Sequence, residues 1–326
     1  MTVYKGINGF AVQSLATDPT FNEGQVWYNN ASYAFKVAAA TTAGAWATGG
    51  NLVTSRFGLG GCGTQTAALA VSGYGPGLPG SNLTASESYN GSAWSTTPSV
   101  NTAERYGQAF GTQTAAVKAG GYVAPTATNS TELWNGTSWT TNPTGLNTAK
   151  YGAGVSGTQT AGLYFGGTTT ATRQDATESW GGSTWTAVPA TLGTINTSLS
   201  GCGTQTAALA AGGNIPSGVT AITSAYNGTS WATVSPMNTA RQSLVTQGTQ
   251  SAALSTTGDA TTATELWNGT SWTTTTSTAT ARDSGGGAGD SSNALVFGGT
   301  ASGSVLTATE EWTGPGVPLI QTITTS

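Results

Sequence analysis

The chain has 326 residues, of which 37% are apolar and only 7% charged, with a net charge of −4. That balance argues against a nucleic-acid binder that works by neutralising phosphates. Histidine is absent altogether, which removes the commonest general base and metal ligand and excludes Ser-His and Cys-His nucleophilic pairs.

No stretch approaches the roughly 18 consecutive apolar residues of a membrane span, and the first ten residues carry no charged-then-apolar export signal. The expectation is a soluble protein with no membrane insertion. Gly, Thr, Ser and Ala dominate, but eleven Trp and ten Tyr at regular intervals argue for packing rather than disorder.

Residues 1–43 carry no repeat. Within them Gly24-Gln25-Val26-Trp27-Tyr28-Asn29-Asn30-Ala31-Ser32-Tyr33-Ala34-Phe35-Lys36-Val37 reads as a β-hairpin. Val26, Tyr28, Tyr33, Phe35 and Val37 suit strands, and Asn29-Asn30-Ala31-Ser32 is turn chemistry. Trp27, Tyr28, Tyr33 and Phe35 are candidates for a hydrophobic contact with another protein, or for packing the hairpin onto the repeated part of the chain.

From residue 44 the chain repeats. Gly63-Thr64-Gln65-Thr66-Ala67 returns at Gly111, Gly157 and Gly203, as Gly248-Thr249-Gln250-Ser251-Ala252, and in worn form as Gly289-Asp290-Ser291-Ser292-Asn293-Ala294. Six copies spaced in the forties mean a repeat architecture. Each phrase is expected to lead into the inner, buried strand of its unit, an apolar run such as Ala161-Gly162-Leu163-Tyr164-Phe165 closed by a small pair such as Gly166-Gly167. A variable polar loop follows. Next comes a hairpin turning on Asn-Gly, as in Thr131-Glu132-Leu133-Trp134-Asn135-Gly136-Thr137-Ser138-Trp139. A Thr/Pro-rich connection, a basic residue and a weaker strand complete the unit.

Aromatics sit five residues apart across each of these hairpins: Tyr89 and Trp94, Trp134 and Trp139, Trp180 and Trp185, Tyr226 and Trp231, Trp267 and Trp272. The sixth unit has Trp312 but no second tryptophan. Trp46 precedes Gly63 by 17 residues, the interval at which Trp94, Trp231 and Trp272 precede their next phrases. Trp46 is therefore expected to supply the outer strand of the last unit, with Leu306-Thr307-Ala308-Thr309 in the strand beside it. That would pair the two ends of the repeat and remove exposed sheet edges.

Four short strands per unit define a radial blade, which cannot bury its own faces unless blades close into a ring. The expected fold is all-β: a six-bladed propeller over 44–314 with N-to-C-terminal strand closure, an N-terminal β-hairpin arm over 1–43, and a C-terminal tail over 315–326.

This pattern resembles the kelch repeat of β-propellers, the family that includes the galactose-oxidase propeller. The resemblance rests on strands ending in Gly120-Gly121, Gly166-Gly167, Gly212-Gly213 and Gly298-Gly299, on the aromatic pair, and on the basic residue before the next blade. The aromatic pair is one residue closer than is usual in kelch, and Ser72-Gly73 and Thr257-Gly258 replace Gly-Gly in two units. The copper chemistry of galactose oxidase has no histidine ligands here. Gly24-Gln25-Val26-Trp27-Tyr28-Asn29 with Phe35-Lys36-Val37 also looks like segments of tailed-bacteriophage structural proteins.

Basic residues precede five phrases by six or seven positions: Arg56, Arg105, Lys150, Arg241 and Arg282. They are either a ring at one channel mouth, suited to an acidic or sulfated glycan, or structural partners, between blades, of the repeated acids Glu87, Glu132, Glu178, Glu265 and Glu310. Equal numbers at equal phase favour the structural reading, in which such pairs fix register. The phrase glutamines are expected to bridge blades by bonding to backbone. Asn90, Asn135, Asn227 and Asn268 match glycosylation sequons, but hairpin chemistry explains them. Cys62 and Cys202 are expected to be buried, unpaired thiols.

No metal-binding loop, phosphate loop or cysteine cluster is present in the sequence, so no cofactor, metal or catalytic residue is expected. The phage resemblance implies a non-enzymatic virion structural protein, assembled in the host cytoplasm and attached through residues 1–43 to a head, neck, tail or fibre component, with homo-oligomers open. The alternative is a receptor- or glycan-binding adhesion module displayed on the virion. More distant is a carbohydrate-active enzyme, which needs two facing carboxylates among loop acids such as Glu104, Asp175, Asp259, Asp283 and Asp290.

Overall fold

A computed structural model describes residues 13–19, 25–40, 43–76, 81–316 and 318–322. Every regular element among them is a β-strand. The chain divides into two compact units, one comprising Met1–Ala45 with Thr313–Ser326, the other Trp46–Trp312.

In the first unit, Val26–Asn29 and Ala34–Ala40 form the hairpin, pairing Val26 with Val37 and Asn29 with Ala34. Asn29 makes the turn, because its Oδ1 accepts from the amides of Ala31 at 3.1 Å and Ser32 at 2.9 Å. Gln13–Leu15 adds a parallel strand beside Val26–Asn29. The segment expected to be a tail, 315–326, instead contributes Pro318–Thr322, antiparallel to Ala34–Ala40. Chain termini several hundred residues apart thus share one four-stranded sheet.

The second unit is built from small antiparallel four-stranded sheets, an arrangement consistent with a β-propeller. The first sheet runs Gly60–Thr64, Ala67–Val71, Ser86–Tyr89, Trp94–Thr97, and four more follow the same order along the chain. The sixth takes Gly286–Gly289, Asn293–Phe297 and Thr309–Thr313 and ends on Ala45–Gly49. Residues 306–308, expected inside the third of these strands, precede it in a connection where the carbonyl of Leu306 accepts from Arg56 and that of Thr307 from Leu52.

The repeated phrase has a different place from the one expected. Gly111 and Thr112 end the opening strand of the second sheet, Gln113 and Thr114 form the turn, and Ala115 begins the next strand. The opening strand, not the apolar one after the phrase, lies innermost. Opening strands neighbour one another from sheet to sheet, and that of the sixth neighbours that of the first. Their approach dictates small residues: a Cβ on Gly61 would lie 2.5 Å from the carbonyl oxygen of Gly287. The phrase glycine is required by its backbone. Gly111 has φ +113°, and a Cβ there would lie 2.3 Å from the carbonyl oxygen of Ala115.

The Asn-Gly hairpins form, but not with both turn residues at positive φ. Tyr89 pairs with Trp94, leaving a four-residue loop. Gly91 has positive φ, but Asn90 does not; its Oδ1 instead accepts from Ser92 and Ala93 at 3.0 Å each. The Asx turn replaces the left-handed asparagine.

Apolar residues pack between neighbouring sheets. Leu69 and Val71 of the first meet Ala116 and Trp134 of the second, and Val117 and Ala119 of the second meet Tyr164 and Trp180 of the third. Leu295 and Phe297 of the sixth pack against Ala68, Tyr89 and Trp94 of the first. The aromatic pairs predicted to stack meet with their rings tilted, from 5.0 Å between centroids at 38° in Tyr89–Trp94 to 5.4 Å at 43° in Trp267–Trp272.

Glutamines of the phrase tie one sheet to the sheet before it. Gln159 Nε2 donates to the carbonyls of Ala116 and Trp134 at 3.1 and 2.6 Å, and Trp180 Nε1 returns a bond to the Gln159 carbonyl at 2.7 Å. Gln65, Gln113, Gln205 and Gln250 make the same pair of bonds. In the sixth copy Ser291 takes this place. Its carbonyl still accepts from Trp312 at 3.0 Å, but the amide clamp is lost.

Candidate functional site

The predicted basic residues divide sharply. Arg56, Lys150, Arg241 and Arg282 are fully buried. Each meets the predicted acid of its own sheet: Arg56–Glu87 at 2.8 Å, Lys150–Glu178 at 3.3 Å, Arg241–Glu265 at 2.9 Å and Arg282–Glu310 at 2.6 Å. Burial pulls the three arginines down from their usual range, and their glutamates oppose that shift. These residues form internal struts within each sheet and its incoming connection, not the expected pairs between blades and not a ligand-holding ring.

The geometry explains why charges are kept inside. The arginine comes from the connection into a sheet, and its glutamate stands on the third strand of that sheet. Arg241 also donates to the carbonyls of Thr257 and Ala263 at 3.1 and 2.6 Å. Glu265 accepts from the amides of Asn238 and Thr239 at 2.6 and 3.2 Å. The pair therefore satisfies backbone groups that a connection folded under the sheets would otherwise leave unbonded.

Arg105 is the exception, and the reason is register. The buried basic position lies seven residues before the phrase, and in the second copy Glu104 occupies it. The charge pattern is inverted there: Lys118, on the second strand, contacts Glu104 and lies 4.0 Å from Glu132, all three fully buried. Burial pushes the Lys118 ammonium down to about 7, with Glu132 opposing. In the fourth copy the same two positions hold Asn196 and Ser224, both buried and neutral. Asn196 Nδ2 donates to the Gly212 carbonyl at 2.8 Å.

One residue later in the chain, Arg105 emerges among aromatic rings. Its guanidinium carbon lies 4.5 Å from the Tyr74 ring centroid, 5.1 Å from Tyr122 and 5.8 Å from Tyr106. Tyr122 and Tyr151 approach to 5.0 Å, Tyr106 and Tyr151 stack at 6.1 Å, and Phe57 lies 5.4 Å from Tyr74. All of these side chains are half-buried. Backbone pairing positions them, because Arg105 bridges Tyr122 and Phe57 bridges Tyr74. Tyr106 also feels the charge of Asp283, whose carboxyl is pushed up by burial and held by Ser243 and Ser284.

Beside this cluster the backbone forms a constriction. Gly58, Tyr106, Gly152, Ser198, Ser243 and Ser284 all have φ between +52° and +61°. Each amide donates to the carbonyl of the equivalent residue in the preceding copy, from Tyr106→Gly58 at 2.6 Å through Ser284→Ser243 at 3.1 Å, and Gly58 donates to Ser284 at 2.8 Å. A hollow of about 70 Å³ lined by Tyr106, Ser198, Ser243 and Ser284 opens here. A larger cavity, about 170 Å³, lies between the opening strands. Cys62 and Cys202 line it as free thiols, each pushed up to about 12 by burial. Among the described residues no group of three or more Cys, Asp or Glu is placed to hold a metal ion.

The predicted contact residues of the first unit also divide. Trp27 is buried, with Nε1 donating to Asp18 Oδ1 at 3.2 Å, and takes no part in a surface. Tyr28 packs edge-on against Phe35 at 5.2 Å. Tyr33 is 82% exposed at the hairpin turn and Phe35 is 39% exposed.

Fold and site together define an all-β protein of β-propeller type with a tyrosine- and arginine-lined surface. No family model matches the chain, and no curated protein matches it in sequence. The solved structure of YjhT matches with a TM-score of 0.68 at 12% identity, covering 84% of this chain and 99% of that one. At this identity the likeness concerns the fold.

Proposed function

We propose that this protein is a non-enzymatic structural component of a tailed-bacteriophage virion, a closed six-bladed kelch-like propeller carried by a small attachment unit. The blade count is supported by six inter-sheet hydrophobic layers and by backbone bonds that pass from Gly58 through each copy and back. The kelch relationship rests on the Gly-Gly strand ends and the aromatic pairs. Non-enzymatic character is supported by the commitment of the repeated charged residues to internal struts.

The attachment role rests chiefly on one observation. Both chain ends contribute to a separate small sheet, which presents Tyr33 and Phe35 to solvent. Its partner is another virion protein with an apolar patch. The test is incorporation of full-length Tyr33→Asp and Phe35→Asp variants into particles. Folded variants absent from particles would support the role; incorporation at the unaltered level would end it.

A further inference from the structure

Arg105 differs from the strut residues in that its side chain, among the described residues, meets only aromatic rings and has no ion-pair or hydrogen-bond partner. Among the described residues, no carboxylate and no hydrogen-bond acceptor meets its guanidinium; its buried Nε lacks a partner, as the Nε atoms of Arg56, Arg241 and Arg282 also do. The hydroxyls of Tyr74, Tyr106, Tyr122 and Tyr151 likewise have no hydrogen-bond partner among the described residues. A charged fork and four phenols thus converge on one half-buried surface with their polar ends unused. A surface that only needed packing would be satisfied by phenylalanine, as at Phe57. Tyrosine faces and edges suit the C–H faces and hydroxyls of a sugar ring. The planar guanidinium suits a carboxylate or sulfate, which it binds through two parallel bonds.

We propose that this surface binds an anionic saccharide, a glycan bearing carboxylate or sulfate groups. The acidic group pairs with Arg105, and one sugar ring lies against Tyr122 and Tyr151. Further hydroxyls reach the hollow beside Tyr106, where the Ser198 hydroxyl is also without a partner among the described residues. The asymmetry sets the orientation. Asp283, whose charge reaches Tyr106, repels the anionic end and accepts from neutral hydroxyls. The proposal goes beyond attachment through the first unit and does not depend on it.

The experiment is calorimetric titration of the full-length protein with three oligosaccharides of equal length: a galacturonate, a sulfated galactan and a neutral galactan. Binding of either anionic probe at least about tenfold tighter than the neutral one is expected, and the preferred probe identifies carboxylate or sulfate as the ligand group. Arg105→Gln is expected to abolish that preference with thermal unfolding unchanged. A second variant, Tyr122→Leu with Arg105 intact, should weaken all binding while keeping the preference. No binding of either anionic probe at millimolar concentration, equal binding of the neutral probe, or an unaltered preference in Arg105→Gln would overturn the proposal.

Discussion

Trp46 and Trp312, the first and last residues of the second unit, pack with ring centroids 5.3 Å apart and ring planes tilted by 46°. Elsewhere the same tilted contact joins residues five apart in one hairpin; here it joins strands from opposite ends of the repeat. Trp46 also donates from Nε1 to the Thr276 carbonyl at 3.1 Å. Trp46→Ala should destabilise the protein by about 2–3 kcal/mol, below the usual cost for a fully buried tryptophan because Trp46 is only half-buried. Trp94→Ala, at a buried site, should cost about 3–5 kcal/mol. Urea unfolding of the two variants checks the order.

The struts make a prediction that the chain itself has already tried. Arg241→Ala leaves Glu265 buried without its charge partner and should cost about 3–5 kcal/mol. The double variant Arg241→Asn, Glu265→Ser copies the Asn196 and Ser224 of the fourth copy and should recover most of that loss. Equilibrium unfolding of the single and double variants measures the coupling. A double variant as unstable as the single would show that the fourth copy relies on other compensation.

Neighbouring sheets should not be held equally. Between the fifth and sixth, the fully buried apolar layer is reduced to Leu254, Ala294 and Trp312, and Ser291 provides no amide clamp. Gln159→Ala, which removes both donors from two carbonyls, should cost about 1–3 kcal/mol. Ser291→Gln should stabilise by about 1 kcal/mol, because the Trp312 bond shows that the backbone already has the geometry of the other copies. Thermal unfolding distinguishes the opposite signs.

Alkali should weaken the fold through its cysteines. The Cys62 and Cys202 thiols ionise near 9 when exposed and are held up to about 12 when folded. The unfolded chain therefore sheds these protons first. Their contribution is intact below pH 9 and is lost as pH rises towards 12, at about 1.4 kcal/mol per pH unit for each thiol. Lys118 works in the opposite sense between about 7 and its ordinary 10.5. The decline should therefore steepen above pH 10.5. Unfolding free energy against pH tests this, and native thiols should resist alkylation at pH 8.

The parts of the fold set by local chemistry were legible in the sequence. The period, the paired aromatics and the role of Trp46 follow from spacing alone, and equal phase identified four struts. Arg105 was misplaced because a window of six or seven residues admitted it. A strict offset of seven would have selected Glu104 and directed attention to Lys118. The tyrosine surface was missed because only Tyr74 and Tyr122 share a repeat phase, directly after the small pair that closes their strands, while Tyr106 and Tyr151 each sit at another. They meet only when connections and loops of three successive copies are folded together. Strand rank within a sheet was also hidden: glycine-rich opening strands look weak by propensity, and only the crowding of Gly61 against Gly287 shows why they must be small.

The chain of left-handed residues from Gly58 to Ser284 has one more consequence. Its six amides all give in the same rotational sense, so the circuit has a direction but no terminus. A linear ladder frays from its last rung. Here, opening at any member strands a donor on one side and an acceptor on the other. Tyr106, Ser198, Ser243 and Ser284 belong to different copies and have different neighbours. Their amide protons should nevertheless exchange with a single shared protection, released only when the circuit opens as a whole.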